Sequence, residues 1–447
     1  MGSVGLNVSS AAQSGSGIDV QGMVDQVLYA ERAPERDLQT QQALIQSQNS
    51  ALAAINSNLK DLQTSLQSLT DISGQFNGKA ASSSNANLLT AGATAYAQAG
   101  SHTVKVTSLA ATGTSYTDPL TDGKTTFTTG SFDLRLGTGT PVTITVDSTD
   151  NTLDGIVSAI NSKAVGVTAS VIADANGARL SLVANQSGAA GDLTITNDST
   201  GLTFHKGITG VNADLTVDGV QISSASNTVA GAIPGVTLSL VSADPNSSVS
   251  LNVKADTDQA NAAVDAFVSA YNKAIQSVTA QFNYDPNSGT APPLLSDSTL
   301  RLVQEQLMGA VSHTTSGSGG ISSLYSLGIT VNNDGTLSAD HAKLDNALSS
   351  QYGDVQTFLQ TASTGFAQNF NSVMEGLTDT VNGPLNVELT GNNQLIKDIT
   401  GHIADIEARM QNRQQELLNE YSTIDATLRQ LPLLVQQINS QLSSINS

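Results

Sequence analysis

The sequence predicts an α+β multidomain chain: long terminal helices forming coiled-coil legs, a partly helical middle domain, and β-rich head domains inserted between them. Three observations carry that prediction. Apolar residues near both ends recur in steps of three and four, apolar and polar residues alternate through the middle, and 447 residues are too many for one small core.

The N-terminal seam runs through Leu38, Ile45, Leu52, Ile55, Leu59, Leu62, Leu66, Leu69, Ile72 and Phe76, with Gln, Ser, Asn and Ala filling most of the gaps. Steps that alternate between three and four, or sum to seven, put these side chains on one narrow helical stripe. Such a stripe buries well only against another helix. The C-terminus repeats the rhythm through Ile399, Ile403, Ile406, Met410, Leu417, Tyr421, Ile424, Leu428, Leu431, Val435, Ile438 and Leu442. Arg413 takes one seam position, the step to Tyr421 adds a stutter, and Pro432 should kink or break the helix because it has no N–H to donate. Any single helical stripe is more often private core than partner interface. Seams this long at both ends are too extended for a modest globular body to absorb. They nominate Leu52, Ile55, Leu59, Leu62, Leu66 and Leu69, with the C-terminal positions from Ile399 to Leu442 just named, as coiled-coil and assembly contacts. Polar dilution of the seams lowers the apolar area they bury, so the legs should be marginally stable alone.

Between about Asn87 and Lys254 the period is two. Thr103–Thr107, Val142–Val146, Leu180–Val183, Leu193–Thr196, Val236–Leu240 and Val249–Val253 alternate apolar with polar and favour Val and Thr, as strands do. One short helix interrupts them, with Leu153, Ile156, Val157 and Ile160 on one face and Asn151 or Thr152 as its cap. A weaker echo of that unit is expected at Asn227 to Ile233. After Lys254 the helical pattern returns. Asp256 and Gln259 form a capping pair ahead of Val264, Phe267, Tyr271, Ile275 and Val278, and a second helix starts near Ser298. Asp334-Gly335 supplies a hairpin turn, and Asp340 caps another helix.

These patterns divide the chain into an N-terminal leg (1–37, expected to be mobile) and a coiled-coil helix (38–86). They then give one head domain (87–112 with 211–254), a second inserted in it (113–210), a helical middle domain with a hairpin (255–390), and a C-terminal leg (391–447).

Composition narrows the function. A formal charge of −20 opposes nucleic acid and anionic membranes as partners, and no apolar run reaches bilayer length, so no membrane insertion is expected. The absence of Cys removes disulfides, thiolate zinc sites and cysteine nucleophiles. His102, His205, His313, His341 and His402 are isolated from one another, and no phosphate loop or serine elbow is present. Asp147, Asp150 and Asp154 suggest a calcium loop, but no Glu closes it and Leu153 belongs to a core; a turn and helix cap is the better reading. No catalytic, cofactor or metal residues are nominated, and no enzymatic activity is expected. Met1 to Ser16 has neither a basic region nor an apolar stretch, which does not fit a cleaved signal peptide.

Several stretches resemble one family. Gly17-Ile-Asp-Val-Gln-Gly-Met-Val-Asp-Gln-Val-Leu-Tyr-Ala-Glu-Arg-Ala-Pro34 is similar to the opening of the bacterial flagellar filament cap proteins, also called flagellar hook-associated protein 2. Phe267–Asn272, Leu294–Arg301, Leu327–Asp340 and Lys343–Leu348 follow in that family's order, and Thr152–Ile160 resembles a module of flagellar hook and filament proteins. Leu431-Pro432-Leu-Leu434 departs from the Tyr-Leu pair common at the family's C-terminus. The resemblance implies an extracellular homo-oligomeric ring at the flagellum tip, promoting flagellin folding and polymerisation. It implies export by the flagellar type III apparatus without a cleaved signal. The implied partners are flagellin, the hook–filament junction protein, and an export chaperone at the C-terminal helix. Another axial protein (flagellin or a hook–filament junction protein) and a surface adhesin stand as alternatives.

Overall fold

A computed structural model of the chain describes residues 19–286, 289–316 and 319–445. Gly17 and Ile18 of the family-like opening, residues 287–288 of the turn at Asp285, and residues 317–318 of a glycine loop lie outside the described residues. The chain enters through α1 (Val20–Glu31) and α2 (Ala33–Thr70). The strands follow: β1 (Lys79–Ser83), β2 (Leu89–Ala93), β3 (Gly100–Ser108), β4 (Thr112–Thr117), β5 (Gly130–Leu136) and β6 (Val142–Val146). Next come α3 (Leu153–Lys163), β7 (Val167–Asp174), β8 (Gly177–Ser187), β9 (Leu193–Thr196) and β10 (Phe204–Lys206). Five more strands complete the β region: β11 (Ala213–Val217), β12 (Val220–Ser224), β13 (Thr228–Ile233), β14 (Val236–Leu240) and β15 (Val249–Ala255). The remainder is α4 (Thr257–Thr279), α5 (Ser298–Val311), the hairpin β16 (Ile329–Val331) and β17 (Leu337–Ala339), α6 (His341–Ser350), α7 (Tyr352–Gln360), α8 (Phe366–Thr378) and α9 (Pro384–Ile445).

Three separate cores organise these elements. The first head module has an antiparallel sheet in the order β1-β15-β3-β11-β12 and a second, β13-β14-β2. Alternate residues such as Val104, Val106, Leu215, Leu238 and Leu251 meet in its interior. The chain leaves this module after β3 and returns at β11, a bridge between Ala111 and Val211 closing the neck. The inserted module comprises sheets β10-β4-β8-β7 and β6-β5-β9 with α3 between them in sequence. Leu153, Ile156 and Ile160 of α3 are fully buried there, against Phe132, Ile144 and Leu182 among others. Thr152 is the cap that starts α3, its hydroxyl accepting from Gly155 N at 3.1 Å.

The third core is the helical middle domain, where α2 packs with α4, α5, α7 and α8 around Phe267, Tyr271, Phe358, Phe366 and Phe370. Phe366 sits edge-on to Phe267 and Phe370 and stacked on Phe358, with centroids 5.5 to 5.9 Å apart. Asp256 caps α4 and also accepts from the Gln259 side chain at 2.9 Å, which closes the expected capping pair.

Four expectations are corrected. Residues 20–31 form α1, which packs on α9 through Val24 and Leu28, and residues 33–37 open α2, so the described part of this stretch is helical. Helix α2 stops at Thr70, where Asp71 turns extended. Phe76 reaches the core from a 3-10 turn, and Ile72 is exposed. The stretch from Asn227 to Ile233 holds strand β13 (Thr228–Ile233), not a helical echo; left-handed Gly231 and Gly235 suit a bulge and a turn in the β13–β14 hairpin. Helix α9 runs unbroken past Pro432. The carbonyl one turn earlier loses its donor, but that stretch is exposed and water can satisfy it.

Candidate assembly interface

The two seams have different fates. Leu52, Ile55, Leu59, Leu62, Leu66 and Leu69 of α2 are each at most 1% exposed. Helices α4, α8 and α9 pack on α2 within the same chain, so these six are middle-domain core rather than a surface for other copies. Their stripe is long, yet the middle domain supplies enough further helices to cover it. On α9, Ile399, Ile406 and Leu417 are buried, while Ile403, Met410 and Tyr421 are half-buried.

Helix α9 returns antiparallel along α2, and its register is marked by three side-chain hydrogen bonds. Gln42 donates to Thr400 at 2.7 Å, Asn49 to Asn393 at 2.9 Å, and Asn56 to Asn386 at 3.0 Å. Each partner is one heptad from the next on its own helix, so one register satisfies all three. Sequence reasoning missed these six residues. The signal was present as amides at 42, 49, 56, 386 and 393 with a hydroxyl at 400, but each read as filler between apolar positions.

Past this ladder a small cluster secures α1. Val24, Leu28 and Leu417 are buried together, with Val20, Val27, Met410, Leu418 and Tyr421 around them. Arg413, at a seam position, reaches across to Glu31 at 3.5 Å and along its helix to Glu416 at 3.2 Å. A seam arginine is thus tolerated because two carboxylates flank it. Nearer the middle domain, Glu388 of α9 faces Asp297, the N-cap of α5. Burial and the Asp297 carboxylate push the Glu388 carboxyl up to about 7.

The described α1 begins at Val20, opposite the Tyr421 region, and among the described residues no helix accompanies α9 beyond it. Ile424, Leu428, Leu431, Val435, Ile438 and Leu442 are 40% to 55% exposed. At about 1.5 Å per residue this free helix projects about 36 Å beyond Tyr421. A run of large aliphatic side chains on one uncovered stripe is the mark of an interaction surface.

No comparable arrangement for chemistry occurs among the described residues. No group of three or more His, Asp or Glu is placed to hold a metal. The Asp147 carboxylate takes hydrogen bonds from the Thr149 N–H and hydroxyl, and Asp150 accepts from Asp147 N, which makes this loop a self-satisfied turn. His102 and His205 pair with Asp218 and Asp118 at 2.7 and 2.8 Å on different modules. No helix among the described residues is long and apolar enough to cross a membrane.

Two β modules, a helical body and a projecting, half-clothed helix define a structural subunit of a larger assembly. The sequence matches the family models described as flagellar hook-associated protein 2 N-terminus over residues 16–113 and C-terminus over residues 210–432. A flagellin hook IN motif matches residues 126–186, within the inserted module. The chain belongs to the flagellar hook-associated protein 2 family. It is 28% identical to the B-type flagellar hook-associated protein 2 of Pseudomonas aeruginosa over 96% of both chains. It is 28% identical to the flagellar hook-associated protein 2 of Escherichia coli K12, covering 75% of this chain and 76% of that one. The crystal structure of the flagellar cap protein FliD D1-D2-D3 domains from Escherichia coli superposes with a TM-score of 0.59. That match covers 77% of this chain and 99% of the other, at 28% identity.

Proposed function

We propose that this chain caps the distal end of the bacterial flagellar filament, where several copies form a ring that promotes flagellin folding and polymerisation. The observation that carries the reading is the uncovered apolar stripe of α9. The β modules and the middle domain each close their own core, while α9 leaves the body with a face that only another helix can bury. In this arrangement the modules form a plate, and the projecting helix points into the filament end, where helices of other subunits are available. The role is mechanical: the chain holds flagellin beneath the plate and assigns no bond-making step to its own side chains. The protein acts outside the cell at the flagellum tip, exported by the flagellar type III apparatus, and supports motility. Before export the same C-terminal helix suits a chaperone, and once outside it meets the hook–filament junction protein before the filament grows.

The test is complementation of a motile strain that lacks its own cap protein. Full-length chain should restore filament growth and reduce flagellin lost to the medium, while a chain ending at Leu417 should do neither. Restoration by the shortened chain would sink the reading, because the helix said to engage the filament end would then be dispensable.

A further inference from the structure

Several strand edges in this chain are closed by particular side chains. The Asn161 amide donates to the Ala169 carbonyl and accepts from the Ala169 N–H, both at 2.9 Å, which blocks the β7 edge at its middle. The Asn272 amide does the same to Leu337 of β17, at 2.9 and 2.6 Å. Lys163 sets its ammonium on the Thr143 carbonyl of β6 at 3.1 Å, and β13 carries a bulge. Charges, bulges and local caps of this kind keep an edge from pairing with another chain.

The edge formed by β12 has none of them. It is the last strand of the five-stranded sheet, with β11 as its one hydrogen-bonded neighbour. Asp218 and Gly219, at φ of +51° and +83°, make the two-residue turn that pairs Val217 with Val220. From that pair the register alternates. Val220, Ile222 and Ser224 bond inward to β11, and the N–H and C=O of Gln221 and Ser223 point away from it. No group among the described residues bonds to the backbone of Gln221 or Ser223 from that side. Both residues are exposed, and the strand Val-Gln-Ile-Ser-Ser holds no charge, no Pro and no bulge.

The side chains say what kind of strand fits beside it. Val220 and Ile222 continue the core-facing row of Val217 and Leu215, but Val220 is 65% exposed, so the row runs past the cover it has. A strand with apolar residues at alternate positions would extend that row. On the other face Asp218 pairs with His102 at 2.7 Å, while Asp214, opposite Ser223, has no ion-pair partner among the described residues. The hairpin holds no Lys or Arg, and the chain as a whole carries −20. The polar side of a matching strand is therefore basic and not acidic.

We propose that the β12 edge takes up an extended segment of a partner chain, with apolar and basic residues alternating, as an added strand. The source of that segment rests on the cap reading: a subunit that reaches the filament end unfolded still has its strands to offer. Backbone bonds at Gln221 and Ser223 alone make a short grip, which suits a segment that must be let go in order to fold.

The test uses the full chain, a soluble peptide of alternating Val and Lys, and hydrogen exchange resolved to single amides. In the free chain the Ile222 amide should exchange slowly, and those of Gln221 and Ser223 freely. The peptide should slow Gln221 and Ser223 by about tenfold or more and leave Ile222 as it was. Gln221→Pro removes an outward donor and no inward bond, and should weaken binding about tenfold. The same peptide N-methylated along one edge tests those bonds with the protein unaltered, and should bind as weakly. A peptide of alternating Val and Glu should bind about tenfold more weakly than the Val and Lys one, and Asp214→Asn should narrow the gap. Unchanged exchange at Gln221 and Ser223, equal binding of the N-methylated peptide, or preference for the acidic peptide overturns the proposal. Slow exchange at both amides without peptide also overturns it, since a second copy would then fill the edge. The cap reading fails separately: a native chain that restores filament growth and binds no peptide keeps the cap and loses the edge site. One that binds the peptide and restores no growth keeps the edge site and loses the cap.

Discussion

The amide ladder between α2 and α9 should show a gradient of coupling that follows burial. Asn56 is 7% exposed and donates to Asn386 at 3.0 Å, while Asn386 itself donates to the Asp379 carbonyl at 2.7 Å. Replacing Asn56 by Ala strands the Asn386 carbonyl, but it also removes the Asn56 Oδ1, which is buried without a partner. The two desolvation effects oppose each other, so the loss is close to one hydrogen bond, about 1 kcal/mol. At Asn49–Asn393 and Gln42–Thr400 the accepting residues are exposed, water replaces the lost partner, and the loss falls to about 0.3 kcal/mol. A double-mutant cycle on each rung, read by hydrogen exchange of α2 and α9 amides, isolates the coupling from the cost of truncation. Equal coupling at the three rungs, or the largest value at Gln42–Thr400, would refute the argument that burial sets the strength of the ladder.

Other perturbations follow from the same geometry. Glu388 is held up to about 7 in the fold against an ordinary value near 4.5, so the native state binds the extra proton. Stability should be complete below about pH 4.5 and decline as pH rises through about 7. Glu388→Gln should flatten that decline, as melting curves across this range would report. Phe366→Ala removes a fully buried ring packed against three others and should cost about 3–5 kcal/mol, comparable to the stability of a whole domain. Exchange protection should then collapse in α4 and α8 but persist in β5 to β9, whose core is separate; loss in both would mean that the modules do not fold independently. Gly177 has φ of +124° and sits where a Cβ would meet the Leu120 carbonyl. Gly177→Ala should lower the melting temperature of the inserted module alone, and an unchanged melt would contradict the placement of the β7–β8 turn.

Much of the fold is legible because each β module reads locally. Val142–Val146 and Leu193–Thr196 alternate without interruption and become β6 and β9 with the same ends. Thr152 and Asp256 are capping residues whose effect lies within three positions, so α3 and the start of α4 are specified by neighbours in sequence. Asn227 to Ile233 was misread because a few apolar residues fit either period. The choice was made by pairing with Val236–Leu240 across a glycine turn, a contact that lies outside the window. The end of α2 was missed for a similar reason. Phe76 fits the seam rhythm although it reaches the core from a different element.

The fate of the seams turns on something that polarity hides. Around Leu52 to Leu69 the residues Asn56 and Ser65 looked like solvent-facing dilution, and on that basis the helix was expected to be only marginally stable. Both are buried: Ser65 donates its hydroxyl to the Leu62 carbonyl at 2.7 Å, and Asn56 bonds Asn386. Small or amide side chains that satisfy themselves locally let neighbouring helices close on both flanks of the stripe, so the buried face is wider than its apolar residues. Beyond Tyr421 the flanks carry Asp425 and Arg429, a charged pair bridged at 2.7 Å, with the Arg429 side chain in solvent and the Asp425 side chain mostly covered. There the buried face can be no wider than the heptad itself. A strict seam with charged flanks suits a rope of helices and not a globular core, which is why one rhythm yields private core in α2 and an open surface in α9.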